Sequence, residues 1–267
     1  MKIDFFKYQG TGNDFVIIDN RNLEIDLSKE QIEKICNRHF GVGADGLMLL
    51  ENDNNFDFKM RYFNSDGAEV SMCGNGGRCI VAFAKKMNLI SSLTKFTAVD
   101  GIHNANIISS GIVELEMIDV SAVKKISEGF FLDTGVPHFV KFVNNVKEIE
   151  VRALGKEIRN SSIFSPEGCN VNFVEEISSG KINVRTYERG VEDETLSCGT
   201  GVVASSISYY LKNNISEKNI SIQTLGGELS VCFVETKSEI DKNTSYFKNI
   251  WLSGPAEFVF SGSLEIN

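Results

Sequence analysis

Residues 58–65 read FKMRYFNS and residues 182–189 read INVRTYER. Each stretch alternates in polarity, carries an arginine with an aromatic residue two positions later, and ends in two polar residues. Each is followed by the same short motif, Cys73-Gly74-Asn75-Gly76 in the first copy and Cys198-Gly199-Thr200-Gly201 in the second. The copies are offset by 124 residues at the arginines and by 125 at the cysteines. We interpret the chain as two copies of one ancestral unit.

The repeats predict similar elements in each half. Alternating polarity predicts strands at 3–8, 14–19, 46–51, 56–63, 138–143, 170–176, 181–188, 220–225 and 228–235. Helical spacing predicts helices at 28–37, where Ser28 and Gln31 form a capping box, at 150–159, and after each Cys-Gly-x-Gly motif at 77–88 and 201–212. The last two are apolar or small over much of their circumference, which is typical of a helix enclosed by strands. The predicted fold is α+β, with two pseudo-symmetric domains, 1–117 and 118–254, each a bent, barrel-like mixed or antiparallel sheet around a central helix.

Composition narrows the classes of function. The chain has 267 residues, 42% of them hydrophobic, and a formal net charge of −9. Without a basic run, this acidic chain is a poor candidate for binding nucleic acid or an anionic membrane. No transmembrane segment or signal peptide is evident, which predicts a cytoplasmic protein with reduced thiols. The three histidines and six cysteines show no metal-ligand spacing, so no metal site is expected.

Cys73 and Cys198 each stand at the predicted start of a helix. A helix N-terminus offers backbone N–H groups and a partial positive charge, and it lowers the pKa of a thiol placed there. If the two halves face each other about a pseudo-twofold axis, both thiols point into one cleft. Inversion at a carbon acid needs a base on one face and an acid on the other, and two near-equivalent thiols meet that need in both directions. The pair therefore predicts a racemase or epimerase that needs neither a metal nor pyridoxal phosphate.

At these residues the sequence resembles the diaminopimelate epimerase family of cofactor-independent amino-acid epimerases. The resemblance lies in Gly10–Phe15, in Phe63–Gly67 running into Met72–Cys79, and in Glu188–Gly190 running into Glu194–Gly201. It extends over essentially the whole chain. It implies interconversion of LL- and meso-diaminopimelate, in lysine and peptidoglycan precursor biosynthesis, by a thiolate and a thiol acting at the α-carbon. It also implies that a C-terminal strand within 255–267 returns to the first domain, that no cofactor is used, that the partner is a small amino acid, and that the expected assembly is a homodimer.

The family's motifs assign roles to individual residues. Cys73 and Cys198 are implied as the acid/base pair. The implied substrate-binding residues are Asn13, Asn64, Gly74, Asn75, Asn170, Glu188, Arg189, Gly199 and Thr200. Of these, Glu188 and Arg189 are the residue types that hold an ammonium and a carboxylate.

The chain departs from the family at two positions. Val136 stands where the family often has a substrate-binding asparagine, and Gly46 stands where some members use glutamine. These departures leave open the same chemistry on another amino acid, for example a histidine or glutamate racemase. A dithiol redox switch in a binding protein is a further alternative from a different class. His138 is open to a site role or a structural role, whereas Arg61 and Arg185 are interpreted as structural charges.

Overall fold

The computed structural model describes residues 2–109, 111–126, 129–237 and 245–266. Its helices within these ranges are α1 (Lys29–Cys36), α2 (Gly74–Lys86), α3 (Val151–Arg159) and α4 (Gly199–Asn213), with a short 3-10 helix at Val146–Glu148. Its strands are β1 (Lys2–Gly10), β2 (Asn13–Asp19), β3 (Gly46–Glu51), β4 (Phe58–Asn64), β5 (Glu69–Val70), β6 (Leu93–Ala98), β7 (Gly101–Ser109), β8 (Ile112–Met117), β9 (Val123–Ile126), β10 (Gly129–Asp133), β11 (Pro137–Phe142), β12 (Asn170–Ser178), β13 (Lys181–Glu188), β14 (Asp193–Thr195), β15 (Asn219–Thr224), β16 (Gly227–Lys237), β17 (Ser245–Pro255) and β18 (Glu257–Glu265). None of the helices in the described part of the chain has the length and apolar character needed to cross a bilayer.

The α+β class expected from the sequence is confirmed, with parallel and antiparallel strand pairs mixed in the sheet. The chain divides into two compact units, Met1–Leu115 with Gly254–Asn267 and Glu116–Ser253. The C-terminal strand β18 pairs with β1 along Lys2–Gln9, so the end of the chain completes the sheet of the first unit.

The first unit orders its strands by a mixture of hairpins and crossovers. From β18 the pairing runs antiparallel to β1 and on to β2, and β2 then pairs with β3 in parallel. The antiparallel partner of β3 is β4, which also pairs antiparallel with β5 and in parallel with β6. The sheet continues through β7 to β8 in antiparallel order.

The second unit repeats this order strand for strand. From β9 the pairing runs antiparallel through β10 to β11, and β11 then pairs with β12 in parallel. The antiparallel partner of β12 is β13, which also pairs antiparallel with β14 and in parallel with β15. The sheet continues to β16 and then β17 in antiparallel order. Because the hydrogen-bonding pattern is the same, the sequence repeat corresponds to a repeat of topology.

Each unit encloses one helix among its strands. In the first unit, α2 packs against β1, β2, β3, β7 and β18, and in the second α4 packs against β10, β11, β12, β13, β15 and β16. Ten residues of α2 are buried, and so are ten of α4. Both helices begin earlier than the predicted 77–88 and 201–212, because the glycines after each cysteine already have helical backbone conformation.

The two remaining helices lie outside the strands. The capping box predicted for α1 is present: the Gln31 backbone N–H donates to Ser28 Oγ, and the Ser28 backbone N–H donates to Gln31 Oε1. Helix α1 packs on β3, and α3 packs on β12, β13 and β14. Close packing of α3 depends on Gly155, where an added Cβ would collide with the ring of Tyr187.

Candidate active site

Cys73 is the N-cap residue of α2, half-buried, with extended backbone angles. Its thiol lies 3.7 Å from Asn13 Oδ1, within hydrogen-bonding range for sulfur. Asn13 is delivered by the tight turn between β1 and β2, where Thr11 (φ 50°) and Gly12 (φ 86°) both have left-handed backbone angles. Such a two-residue turn matches the twist of a hairpin, and glycine adopts it without strain.

Charged groups fix the amide of Asn13 and that of Asn75. Asn13 Nδ2 donates to Asp45 Oδ2 at 2.7 Å, which leaves Asn13 Oδ1 toward the thiol of Cys73. Asn75 Oδ1 accepts from Arg78 Nη2 at 2.9 Å, and Asn75 Nδ2 donates to Asn13 Oδ1 at 3.3 Å. A carboxylate only accepts and a guanidinium only donates, so both amide orientations are determined.

Arg78 is a fully buried cation next to this network. Besides Asn75 it donates to the backbone oxygens of Gly74 and Pro255 and to Thr11 Oγ1. Burial lowers the pKa of Arg78, whereas the neighbouring thiols of Cys79 and Cys73 act in the opposite direction. No carboxylate lies within 4.0 Å of its guanidinium in the part of the chain that the structure describes.

Cys198 occupies the equivalent N-cap position of α4 and is buried. Its sulfur lies 3.5 Å from Thr200 Oγ1, and the same hydroxyl oxygen lies 3.0 Å from His138 Nε2. His138 belongs to β11 and is fully buried. This histidine lies in the second unit and is linked to the Cys198 thiol through one hydroxyl group.

The imidazole of His138 is held by Asn172 from the neighbouring strand. Asn172 Nδ2 lies 3.0 Å from His138 Nδ1 and 3.3 Å from the Phe139 carbonyl oxygen, while Asn172 Oδ1 accepts from Thr186 Oγ1 at 2.9 Å. Burial lowers the pKa of His138 to about 3. The ring is therefore neutral at physiological pH.

Glu188 and Arg189 follow one another at the end of β13. Glu188 Oε1 accepts from the Thr195 hydroxyl. The Arg189 backbone N–H donates to Asn170 Oδ1 at 2.7 Å, and its Nη1 donates to the carbonyl oxygens of Glu167 and Gly168. Among the described residues, Nε and Nη2 of Arg189 have no hydrogen-bond partner, so this edge of the guanidinium is available to an anion.

Each unit thus gathers its own subset of the predicted residues. Asn13, Cys73, Gly74 and Asn75 form one cluster, whereas Asn64 ends β4 as an exposed residue whose backbone closes a turn with Ala68. In the second unit, Asn170 accepts from the Arg189 backbone and lies 3.4 Å from His138 Nε2, Thr200 lies between His138 and Cys198, and Gly199 is the first residue of α4. The sequence analysis missed Asp45, Arg78, Asn172 and Thr186. The one signal available was a polar residue inside the apolar strand segment NVNFV, since Asn172 is fully buried there.

The remaining cysteines and arginines have structural surroundings. Burial raises the pKa of Cys36, Cys79 and Cys169 to about 12 each, so these thiols stay protonated, and Cys232 is half-buried. Arg61 pairs with Glu69 and Arg185 with Glu194. No group of three or more potential metal-ligating side chains occurs in the described ranges.

The two departures from the family pattern have different consequences. Val136 is half-buried in the turn between β10 and β11, where its carbonyl accepts from the Thr134 N–H. At Gly46 an added Cβ would lie 2.6 Å from the Phe63 carbonyl oxygen and from Tyr62 Cε2. A glutamine therefore cannot be accommodated at position 46 unless the backbone shifts.

Solved structures place the fold among the PhzF and proline racemase-like epimerases. A phenazine biosynthesis protein of the PhzF family from Bacillus anthracis superimposes with a TM-score of 0.76 at 15% identity, over 100% of both chains. A hydroxyproline epimerase from Agrobacterium vitis superimposes with a TM-score of 0.67 at 13% identity, over 98% of this chain and 92% of its own. At these identities the likeness concerns the fold alone.

Sequence comparison defines the family. The profile of the diaminopimelate epimerase family matches residues 5–113 and 130–247. The chain is 49% identical to a diaminopimelate epimerase from Flavobacterium psychrophilum, over 97% of this chain and 99% of the relative. It is 40% identical to another from Aquifex aeolicus, over 98% of each. The chain belongs to the diaminopimelate epimerase family, as the resemblance of its cysteine motifs indicated.

Proposed function

We propose that this protein is an enzyme that interconverts LL- and meso-diaminopimelate, in the biosynthesis of lysine and of peptidoglycan precursors. The observation that carries the proposal is the pair of thiols, each at the N-cap of a central helix, in a chain that belongs to this family. At those positions a thiol is both reactive and close to backbone N–H groups that favour anions.

The reaction proceeds by two proton transfers at one α-carbon. The thiolate of one cysteine removes the α-proton and becomes a thiol, and the thiol of the other donates its proton to the opposite face and becomes a thiolate. The reverse reaction exchanges their roles, which is why both cysteines occupy the same N-cap position in their helices. The N-termini of α2 and α4 stabilise the α-carboxylate and the charge that develops on it, with the glycines Gly74 and Gly199 permitting close approach.

Substrate selection falls to groups that hold the end of the molecule that does not react. Arg189 takes the distal carboxylate, with Asn64 and Asn170 supporting, and Glu188 takes the distal ammonium. The available guanidinium edge of Arg189 supports this role, as does the hydrogen bond that ties its backbone to Asn170. The further substrate contacts are assigned to Asn13, Asn75 and Thr200.

A second candidate function is racemisation of an amino acid with one stereocentre. Val136 favours it, since its side chain cannot donate the hydrogen bond of the family's asparagine. The two-thiol chemistry is common to both functions, and they differ in which substrate is turned over faster. Chiral chromatography of reactions with diaminopimelate, lysine, histidine and glutamate distinguishes them. A single-centre amino acid racemised faster than diaminopimelate would refute the proposed substrate and leave the chemistry in place.

The chemistry is tested by replacing each thiol. Cys73→Ala and Cys198→Ala should each abolish inversion while circular dichroism stays that of the native protein, because neither change opens a large cavity. Cys232→Ala, at a half-buried thiol, is the matched control and should retain activity. In deuterated water the product should carry deuterium at the α-carbon from the first turnovers, because the donated proton comes from a thiol that exchanges with solvent. Retention of the original proton would indicate a single shuttling base and would contradict the mechanism.

The proposed chemistry also bears on the cellular compartment and the assembly of the protein. Reduced thiols are kept by the cytoplasm, where the substrate would be a free small amino acid. A homodimer is part of the proposal and is supported by an apolar stretch on β18, where Phe258, Val259 and Phe260 are each more than two-fifths exposed. Analytical ultracentrifugation of the wild type and of a Phe260→Asp variant tests it, with a monomeric wild type as the contrary result.

A further inference from the structure

We infer that in the enzyme without substrate Cys198 is the thiolate and Cys73 the protonated thiol, because two hydrogen-bond chains of opposite polarity end at the two sulfur atoms. This assignment rests on the proposed two-thiol function. It goes beyond it by specifying which thiol is the base at rest. Each chain lies within one unit and is anchored by a group whose donor or acceptor character is fixed.

In the second unit the hydrogen-bond chain begins at the side chain of Asn172. The Phe139 carbonyl oxygen can only accept, so it fixes the amide with Nδ2 toward His138 Nδ1, and Asn172 Oδ1 then accepts from the Thr186 hydroxyl. A ring nitrogen that faces an N–H donor at 3.0 Å must be the unprotonated one, so the single proton of the neutral imidazole resides on Nε2. Asn170 Nδ2 also faces Nε2, but at 3.4 Å its contact is too long to reverse this choice.

The protonation of His138 determines the direction of the next hydrogen bonds, which lead to the sulfur of Cys198. His138 Nε2–H donates to Thr200 Oγ1 at 3.0 Å, so the hydroxyl hydrogen of Thr200 is left to donate elsewhere. The sulfur of Cys198, at 3.5 Å, receives it. A hydrogen bond donated to sulfur stabilises the thiolate relative to the thiol.

In the first unit the polarity is reversed. The chain is anchored at both ends, by Asp45 accepting from Asn13 Nδ2 and by Arg78 donating to Asn75 Oδ1. Both anchors leave Asn13 Oδ1, an acceptor, against the sulfur of Cys73 at 3.7 Å. An acceptor oxygen pairs with S–H and repels a thiolate, so it stabilises the protonated form.

Charged and titratable groups near the two thiols also act on which thiol is deprotonated. Arg78 is the cation that favours a thiolate at Cys73, but its donors are directed at Asn75, Gly74, Thr11 and Pro255 rather than at the sulfur. Behind Asn13, the carboxylate of Asp45 acts against that cation. Cys79 is protonated and Arg189 acts on His138, which stays neutral. We therefore take the order from the Asn13 contact at Cys73 and the Thr200 contact at Cys198.

The assignment is tested by alkylation of the wild-type protein without substrate. Rates of iodoacetamide modification at each cysteine are followed from pH 5 to pH 10 by peptide mass spectrometry. We expect the rate at Cys198 to rise at a lower pH than the rate at Cys73, by at least about one pH unit. Cys36 and Cys79, whose thiol pKa is raised to about 12 by burial, serve as internal controls that stay unmodified over this pH range. A midpoint for Cys73 that is equal to or below that of Cys198 overturns the inference.

Substitutions at Thr200 and Asn13 test the two hydrogen-bond chains one at a time. Thr200→Val removes the hydroxyl donor and should raise the midpoint of Cys198 by about one pH unit, whereas Thr200→Ser should keep it. Asn13→Leu removes the acceptor and should lower the midpoint of Cys73. An unchanged midpoint in Thr200→Val, or an unchanged one in Asn13→Leu, contradicts the corresponding chain.

The tautomer of His138 is read directly by ¹⁵N NMR of histidine-labelled protein. The chain has three histidines, and His39→Gln and His103→Gln assign the resonances. We expect Nδ1 of His138 to show the downfield resonance of an unprotonated ring nitrogen from pH 5 to pH 9. Protonation at Nδ1 would refute the hydrogen-bond chain proposed from Asn172 to Cys198. These measurements need no turnover, so an inverted order leaves the proposed function standing, and active alanine variants at Cys73 or Cys198 refute that function whatever the order.

Discussion

Gly201 and Gly76 occupy the same place in their helices, third residue after the cysteine, yet their surroundings differ. A Cβ at Gly201 would collide with Asn172 Oδ1 and would lie 3.2 Å from Cys198 Cβ and 3.3 Å from its sulfur. At Gly76 the nearest atoms to an added Cβ are Met48 Sδ at 3.4 Å and Phe15 Cζ at 3.5 Å, which are ordinary van der Waals contacts. The change to alanine should therefore have opposite effects at the two positions.

The magnitude follows from what Asn172 would lose. Overpacking a filled site costs about 1–3 kcal/mol. If the amide moves away, the buried partners Thr186 and His138 lose a hydrogen bond each, at about 1–3 kcal/mol when left unsatisfied. Alanine recovers roughly 0.5–1 kcal/mol relative to glycine in a helix. We expect Gly201→Ala to be destabilised by about 2–4 kcal/mol, and Gly76→Ala to be neutral or slightly stabilised.

Differential scanning calorimetry of the two variants beside the wild type measures the effect. For a unit of this size the difference in free energy of unfolding corresponds to a Tm for Gly201→Ala about 10 °C below that of Gly76→Ala. A Gly201→Ala protein that melts within about 2 °C of Gly76→Ala would show that Asn172 is not packed under the start of α4. That result would also contradict the role of Asn172 as the start of the hydrogen-bond chain through His138.

The other predictions concern selectivity and acid stability. Arg189→Ala should lower kcat/KM for diaminopimelate by roughly 30-fold or more, since a charge pair lost at a binding site costs about 2 kcal/mol or more, and steady-state kinetics of Arg189→Lys beside it show whether the guanidinium fork is needed. Burial alone would raise the pKa of Asp14, but hydrogen bonds and charge from Arg38 and Lys7 lower it to about 2. The stability it contributes is present in full above its ordinary pKa of 3.8 and is lost as the pH falls toward 2. Urea unfolding between pH 5 and pH 2 should therefore show a smaller loss of stability in Asp14→Asn than in the wild type.

Much of the fold could be predicted from the sequence because its signals are local. Alternating polarity in FKMRYFNS and INVRTYER is set by neighbours two residues apart, and the capping box at Ser28 lies within one helical turn. The strands β6 to β10 and β17, with the short β5 and β14, were not predicted. Their pairing joins distant residues, as where Phe58 pairs with Phe96.

The sequence by itself determined the duplication, the α+β class and the two thiols at helix starts, because a cysteine followed by glycines and an apolar helix is a pattern within one segment. Only the tertiary structure decided how the two thiols differ. The parallel register sets His138 opposite Asn170, the antiparallel register sets Asn172 opposite Thr186, and β2 carries Asn13 to Cys73. Two motifs alike in sequence are thereby given different hydrogen-bond partners, since those partners come from strands far along the chain and side-chain polarity acts only across a few ångströms.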